Sequence, residues 1–175
     1  MVDLTDGVIK LRPFTLDDTE AHLAADDEEN IKWLNSGHKS TFESVRNWIL
    51  KNQKFWENDG PVFAFAVVLA SENKLVGAVE ANTDYRKFER FKEEDVNISY
   101  MVHPFARRKG YAIRAVLLIL KFLKDRRYKR AIININKANE KSLGVPIRCE
   151  FSKTENFIDK DGNEMIEFVK ELTGK

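Results

Sequence analysis

Val96-Asn97-Ile98-Ser99-Tyr100-Met101-Val102-His103-Pro104 and, two residues further on, Arg107-Arg108-Lys109-Gly110-Tyr111-Ala112 decide how this chain is read. The first run is rich in β-branched and aromatic residues and reads as a strand. The second carries three consecutive cations and one glycine, and the apolar residues beyond it recur at helical spacing. A loop that joins a strand to a helix presents unpaired backbone N–H groups and the positive end of the helix dipole to one point in space. Phosphate oxygens suit such a point. The expectation is a local anion site at 107–112.

Bulk properties make that site a local matter. The 175 residues carry 29 Lys and Arg against 28 Asp and Glu, a formal charge of +1. So balanced a charge gives no general attraction to nucleic acid or to an anionic membrane. Cys149 is the single cysteine, which rules out an intrachain disulfide. Met1-Val2-Asp3-Leu4-Thr5-Asp6 has neither a basic start nor an apolar run, so no secretory signal is expected there. No apolar stretch reaches membrane-spanning length, and the expected location is cytoplasmic. No His/Cys cluster has metal-ligand spacing, so no metal is expected.

Working outward, 8–12 reads as a first strand, and Thr15 with Asp18 opens a short helix reaching about residue 25. Ser40-x-x-Glu43 forms a capping box for a helix to about residue 55, with Val45, Trp48, Ile49, Asn52 and Trp56 at helical spacing. Gly60-Pro61 ends it. Strands at 62–69 and 74–82 join through Ser71-Glu72-Asn73, followed by a charged loop at 84–94. After the strand at 96–102 comes a helix over 110–126, with Ile113, Val116, Leu117, Leu120 and Leu123 on its buried side. The strand at 131–135 has two apolar faces and belongs inside a sheet. A short helix at 142–150 contains Pro146, and strands at 151–158 and 164–170 hinge on Asp161-Gly162-Asn163. These elements predict one α/β (α+β) domain over 1–175, without repeats, in which about four helices flank a mixed, mostly antiparallel sheet.

Arg107, Gly110 and Ala112 match [QR]-x-x-G-x-[GA], and Asn139 with Ser142 forms an N-x-x-S pair one strand later. With these motifs the chain resembles the GCN5-related N-acetyltransferase superfamily over nearly its whole length. Leu11-Arg12-Pro13 with Asp17-Asp18, Phe65-Ala66-Val67, Leu75-Val76-Gly77 and Tyr100-x-x-His103-Pro104 resemble the branch that holds ribosomal-protein N-terminal acetyltransferases. The resemblance implies a sheet with splayed middle strands and acetyl-CoA as donor, its pyrophosphate held by backbone amides of Arg107, Arg108, Lys109, Gly110, Tyr111 and Ala112. It implies further that the pantetheine arm pairs with the backbone of Met101, Val102 and His103, and that Asn139 and Ser142 lie near the thioester. For Asn139 and Ser142 a plain helix cap is an equal reading, since both residue types favour that position. Lys109 and Arg114 are candidates for outer phosphates.

Acetyl transfer to an amine needs a base for the amine proton, a donor for the carbonyl oxygen and a proton for the leaving thiolate. Glu80 is the candidate base, on the strand 74–82 and expected to share a face with Val76 and Ala78. A salt-bridged or edge-exposed Glu80 is the rival account. Asp84 and Tyr85 are secondary candidates. Many members of the superfamily carry a tyrosine after the N-x-x-S pair, and 139–151 contains none. Ser142, Tyr100, Tyr111 or a water would have to protonate the thiolate. Where relatives read Gly-Phe, this chain reads Glu150-Phe151.

Other features take plainer readings. Cys149 reads as a small buried residue, and Arg126-Arg127 with Lys129-Arg130 as a solvated helix end. Trp48 and Trp56 read as core, whereas Trp33, beside the loop 35–40, is placed to touch an acceptor. The acidic runs at 26–29 and 89–94 would attract a cationic acceptor if they are more than solvated surface. The expected partner is an amine, either a protein or peptide α-amine or a small molecule. A homodimer through the closing strands is open, and nucleic acid is not expected. The rival function is a non-catalytic acyl-CoA-binding domain of the same fold.

Overall fold

Eight strands and five α-helices make up the described part of the computed structural model, residues 4–34, 37–88 and 90–173. In chain order they are β1 (Leu4–Thr5), β2 (Ile9–Pro13), α1 (Thr19–Leu23), α2 (Glu28–Leu34), α3 (Phe42–Glu57), β3 (Val62–Leu69) and β4 (Leu75–Asn82). Then follow β5 (Asp95–Val102), α4 (Tyr111–Asp125), β6 (Arg130–Asn136), α5 (Glu140–Arg148), β7 (Ser152–Ile158) and β8 (Glu164–Glu171). The expected count of about four helices falls one short: α2, seven residues with only Ile31, Trp33 and Leu34 as large apolar side chains, lacks the periodicity that would reveal it.

The strands form one sheet in the order β1-β2-β3-β4-β5-β6-β8-β7. Every neighbouring pair is antiparallel except β5 and β6. That parallel pair matches Asp95, Val96 and Asn97 with Arg130, Ala131 and Ile132 and goes no further. Beyond it β5 stays paired to β4 as far as Val102, and β6 stays paired to β8 as far as Asn136. Each strand thus follows its outer neighbour, and the twist of two half-sheets opens a wedge between them. This is the splay expected from the resemblance. β6 is interior, as its two apolar faces require.

One face of the sheet is covered by α4, whose Ala115, Val116, Ile119, Phe122 and Leu123 are buried with Phe65, Val79, Ile98 and Ile133. Leu117, expected on that side, is 48% exposed, and Leu118 takes its place in the core. The other face is covered by α1 and α3, where Val45 and Ile49 meet Phe14, Ala64, Ala66 and Leu75. The start of α3 also differs from expectation. Thr41, one residue after Ser40, is the cap: its Oγ1 accepts from the Ser44 N–H at 3.1 Å, and Ser44 Oγ accepts from the Thr41 N–H at 2.8 Å. The Thr15–Asp18 box closes a 3-10 turn at Leu16–Asp18 just ahead of α1, and Asp18 accepts from the Thr15 N–H at 2.8 Å and from both terminal nitrogens of Arg12 at 2.7 Å. At the far edge, β7 exposes most of its residues, including Lys153 and Glu155, charges of the kind that protect an edge strand from further pairing.

Two local features of β4 set the site. The register slips by one between Val67 and Val68, so that Val68 pairs with Leu75 and Val67 with Gly77. Val76 is the extra residue of this bulge, and it turns to the α4 core while Ala78 packs on the opposite face. Glu80 therefore shares a face with Ala78 but not with Val76, contrary to simple alternation. At Gly77, a Cβ would stand 2.4 Å from the Met101 carbonyl oxygen, so only glycine lets β5 approach β4 there.

Candidate active site

The phosphate loop is built almost entirely from backbone. Arg108 and Gly110 both take left-handed conformations, at φ 65° and 80°, and Tyr111 begins α4 directly after. Gly110 adopts this conformation without the penalty a Cβ would bring. No N–H from Arg107 to Ile113 donates to another group among the described residues, so seven consecutive amides, Ala112 among them, run unbonded into the helix start. A run of unbonded amides opening a helix suits an anion. The side chains of Arg108 and Lys109 are exposed and make no ion pair among the described residues. Arg114 instead pairs with Asp6 at 2.6 Å, and Arg107 with Asp27 and Glu29. The residues present fit the pyrophosphate of a coenzyme A.

Of the three residues expected to meet the pantetheine arm, Met101 and Val102 lie opposite Ala78 and Gly77 on β4. The Val102 carbonyl also accepts from Asn30 Nδ2 at 3.4 Å. His103 is 2% exposed, its N–H donates to the Val76 carbonyl at 2.9 Å, and its own carbonyl accepts from Ala106. Burial, with His22 and Arg107 nearby, pushes its imidazole down to about 4. A neutral, enclosed imidazole whose backbone is already engaged is a support for the strand end.

A cavity of about 420 Å³ opens beside β4 and β5, under α1, α2 and α3. Glu80 and Ser99 form part of its floor as a directly paired couple, and Trp48, His22, Asp26 and Asn30 stand in its walls. Glu80 makes no hydrogen bond or ion pair among the described residues and sits on an interior strand, so neither rival account of it applies. Burial raises its carboxyl, opposed only by the more distant Lys87 and Lys51. His22 stacks on Trp48 with ring centroids 5.0 Å apart, and its Nδ1 is buried without a partner among the described residues. Burial holds that imidazole below its ordinary value against the pull of Asp26 and Asp18. Trp48, read from sequence as core, packs on the Phe14 and Ile49 cluster and also forms a cavity wall. Trp33 lies elsewhere, with Asp27, Glu29, Asn139 and Lys141 around a second cavity of about 540 Å³ between α2 and the start of α5. Asn35 and Ser36 of the loop beside it lie outside the described residues.

The start of α5 explains the departures at 139–151. Asn139 stands at the N-cap but makes no capping hydrogen bond with its side chain, which leaves the amide free beside the second cavity. Ser142, half-buried in the first turn, has no partner for its Oγ among the described residues. Pro146 has no N–H to give the carbonyl four residues back, a defect of roughly 3 kcal/mol in a helix interior. The carbonyl it deprives is that of Ser142, and the Tyr100 hydroxyl donates to it at 3.0 Å. Burial raises the Tyr100 phenol well above its ordinary value. Its proton is committed to mending α5. Tyr111 packs partly on the core. At the other end, Glu150 occupies the left-handed position at φ 60°, with Phe151 N–H donating to the Pro146 carbonyl and Glu150 N–H to that of Ile147. This is a Schellman cap without its usual glycine, and Lys170 supports it by donating to the Cys149 carbonyl at 2.9 Å. Cys149 is fully buried and its thiol is pushed up to about 11 by burial.

Several sequence candidates are spent on structure. Arg126 pairs with Asp59, Lys129 with Glu94 and Arg130 with Asp95. Asp84 holds Arg86 and Lys87. In the acidic run 26–29, Asp26 accepts from the Ser40 N–H at 2.6 Å and Asp27 and Glu29 hold Arg107. Glu89, which opens the other acidic run, lies outside the described residues. Among the described residues no His, Cys, Asp or Glu cluster could hold a metal ion, and no helix is long and apolar enough to cross a membrane.

A parallel strand pair that parts after three residues, with a run of unbonded amides at its mouth, is the arrangement that the resemblance to acetyltransferases implies. Residues 9–152 match the sequence model of the acetyltransferase (GNAT) domain, and the chain belongs to that family. No curated protein matches it in sequence. Solved structures share the fold. An acetyltransferase of the GNAT family from Bacillus anthracis aligns with TM-score 0.82 and 22% identity over 98% of this chain and 99% of its own. A putative ribosomal-protein-serine acetyltransferase from Vibrio cholerae aligns with TM-score 0.77 and 18% identity over 97% of both chains. A spermidine N-acetyltransferase from Vibrio cholerae, solved with CoA and spermine, aligns with TM-score 0.76 and 14% identity over 95% of this chain and 97% of its own.

Proposed function

We propose that the protein is an acetyl-CoA-dependent N-acetyltransferase acting on an amine that enters the Glu80 cavity. The observation that carries the reading is Glu80 itself: a carboxylate without a partner among the described residues, on an interior strand, raised by burial, facing a cavity beside the strand that leads to the loop 107–113. Acetyl-CoA supplies an activated acetyl group as its thioester. The amides of residues 107–113 hold its pyrophosphate, and Arg108 and Lys109 add charge from solvent. Met101 and Val102 line the wedge along which the pantetheine arm runs, and Asn139 and Ser142 stand at its inner end.

An α-amine has a pKa near ~8 and a lysine-like amine near ~10.4, so the acceptor arrives largely as a cation. Glu80 and Asp26 favour that cation in the cavity, and Glu80 then takes a proton from it, directly or through a water. The nitrogen forms a bond to the acetyl carbon as the carbon–sulfur bond breaks, and the thiolate takes up a proton. We assign that delivery to Ser142 Oγ, which has no partner among the described residues.

The cavity lies under α1, α2 and α3 and suits a terminal amino group or a small amine better than a residue in a rigid surface. Turnover is tested by release of free thiol from acetyl-CoA with a panel of amino-terminal peptides, diamines and amino sugars. We expect at least one acceptor to be acetylated, and Glu80→Gln to lower its kcat/KM by roughly 100-fold or more while CoA affinity stays unchanged. Tight acetyl-CoA binding with no turnover on any acceptor would instead mark a non-catalytic acyl-CoA-binding domain. Turnover indifferent to Glu80→Gln would remove Glu80 as the base.

A further inference from the structure

α2, the helix that sequence periodicity does not reveal, is tied to both sides of the wedge. Asp27 stands at its N-cap position. Its Oδ1 accepts from the Asn30 N–H at 2.9 Å, and its two oxygens accept from Arg107 at 2.5 and 2.8 Å. Glu29 faces Arg107 at 3.3 Å and Lys141 at 2.9 Å. Arg107 opens the phosphate loop after β5, whereas Lys141 lies in the first turn of α5 after β6. The ion pairs therefore bridge the mouth of the opening, with α2 as the span. The same helix supplies Asn30 and Leu34 to the wall of the Glu80 cavity.

We propose that Asp27 and Glu29 are positioning residues that hold Arg107 and so couple the phosphate loop to the acceptor cavity: an anion at the loop releases α2, and the amine enters a cavity loosened by the donor. This rests on the reading of the loop as the acetyl-CoA site. The pyrophosphate brings negative charge beside the two carboxylates and competes with them for one guanidinium. Repulsion and competition act in the same direction. A ligand shifts such an equilibrium only by its preference for one state, and the anion's preference is for the state in which Arg107 faces it.

Hydrogen–deuterium exchange on the full chain, with and without saturating CoA, separates the coupling from the reading beneath it. Amides 108–113 report occupancy of the loop, and amides 28–34 report α2. In the unaltered chain CoA should slow the first group and speed the second at least threefold. Asp27→Asn combined with Glu29→Gln keeps a capping oxygen at residue 27 but removes both charges. In that variant α2 should exchange fast from the outset and show no response to CoA, with 108–113 still protected. Arg107→Gln breaks the same pairs from the other side and should give the same fast α2. Protection at 108–113 with α2 unchanged or slowed in the unaltered chain would overturn the coupling and leave the acetyl-CoA site standing. No protection at 108–113 would overturn both.

Discussion

The loop 107–113 and the Glu80 cavity, the two parts of the proposed site, are built on opposite principles. The loop is a stretch of seven consecutive amides, fixed by two left-handed residues and a helix start. The cavity gathers side chains from α1, α2, α3, β4 and β5, and its ionisable groups His22, Asp26 and Glu80 are scattered along the sequence. A backbone site is indifferent to most side chains and sensitive to backbone conformation. A side-chain site tolerates local backbone change and fails when one group is altered.

The sharpest way to break the comparison is Gly110→Glu. It forces a side chain into a left-handed position and sets a carboxylate at the anion cradle. The open space around Gly110 means that the fold itself should survive. CoA binding measured by calorimetry should weaken by about 100-fold, or ~2.7 kcal/mol, with the circular dichroism spectrum unchanged. Equal affinity for CoA would show that the loop is not the anion site.

A smaller effect separates the cavity by its titration. Because burial raises Glu80 in the folded chain, the acidic limb of kcat/KM should rise with pH through a value above the ordinary carboxylate ~4.3. That limb should vanish in Glu80→Gln. The sign for stability is the opposite. A raised folded pKa contributes stability below the unfolded value that is lost as pH rises through the folded one. Glu80→Gln should therefore be more resistant to urea than the parent at pH 7 and lose that advantage near pH 4.

The smallest effect lies outside both regions and calibrates them. Glu150→Gly restores the residue that a left-handed C-terminal position favours and should stabilise the chain by about 1 kcal/mol, raising Tm by ~2–4 °C. CoA binding and turnover should not move. A fall in Tm would mean that the contact of Lys170 with the Glu150 carboxylate, at 3.1 Å, outweighs the strain.

This contrast also decides what could be read from the sequence. The loop was legible because its determinants are local: a strand, Arg107, Gly110, Ala112 and an amphipathic helix. The antiparallel hairpin of β3 and β4 and the interior place of β6 followed from pattern alone. Glu80 was found as an acid in an apolar strand, but its face was misread, since a bulge at Val76 breaks the alternation without any sequence mark of its own. Which helix roofs which cavity is a tertiary fact, so neither the cavity-facing side of Trp48 nor the place of Trp33 beside Asn139 is readable from spacing. The helix α2 was missed outright. Its stability comes from Asp27 as cap and from ion pairs 80 and 112 residues away in sequence, which no window along the chain contains.

The bond from the Tyr100 hydroxyl to the Ser142 carbonyl has a consequence for descent. Pro146 removed a donor from inside α5, and a residue on another strand now supplies one. The two positions share a single debt. A lineage that lost the phenol while keeping the proline would leave a carbonyl unanswered, and one that replaced the proline would free the phenol for other work. Residues 100 and 146 should therefore change together among the protein's descendants, although 45 positions of chain lie between them.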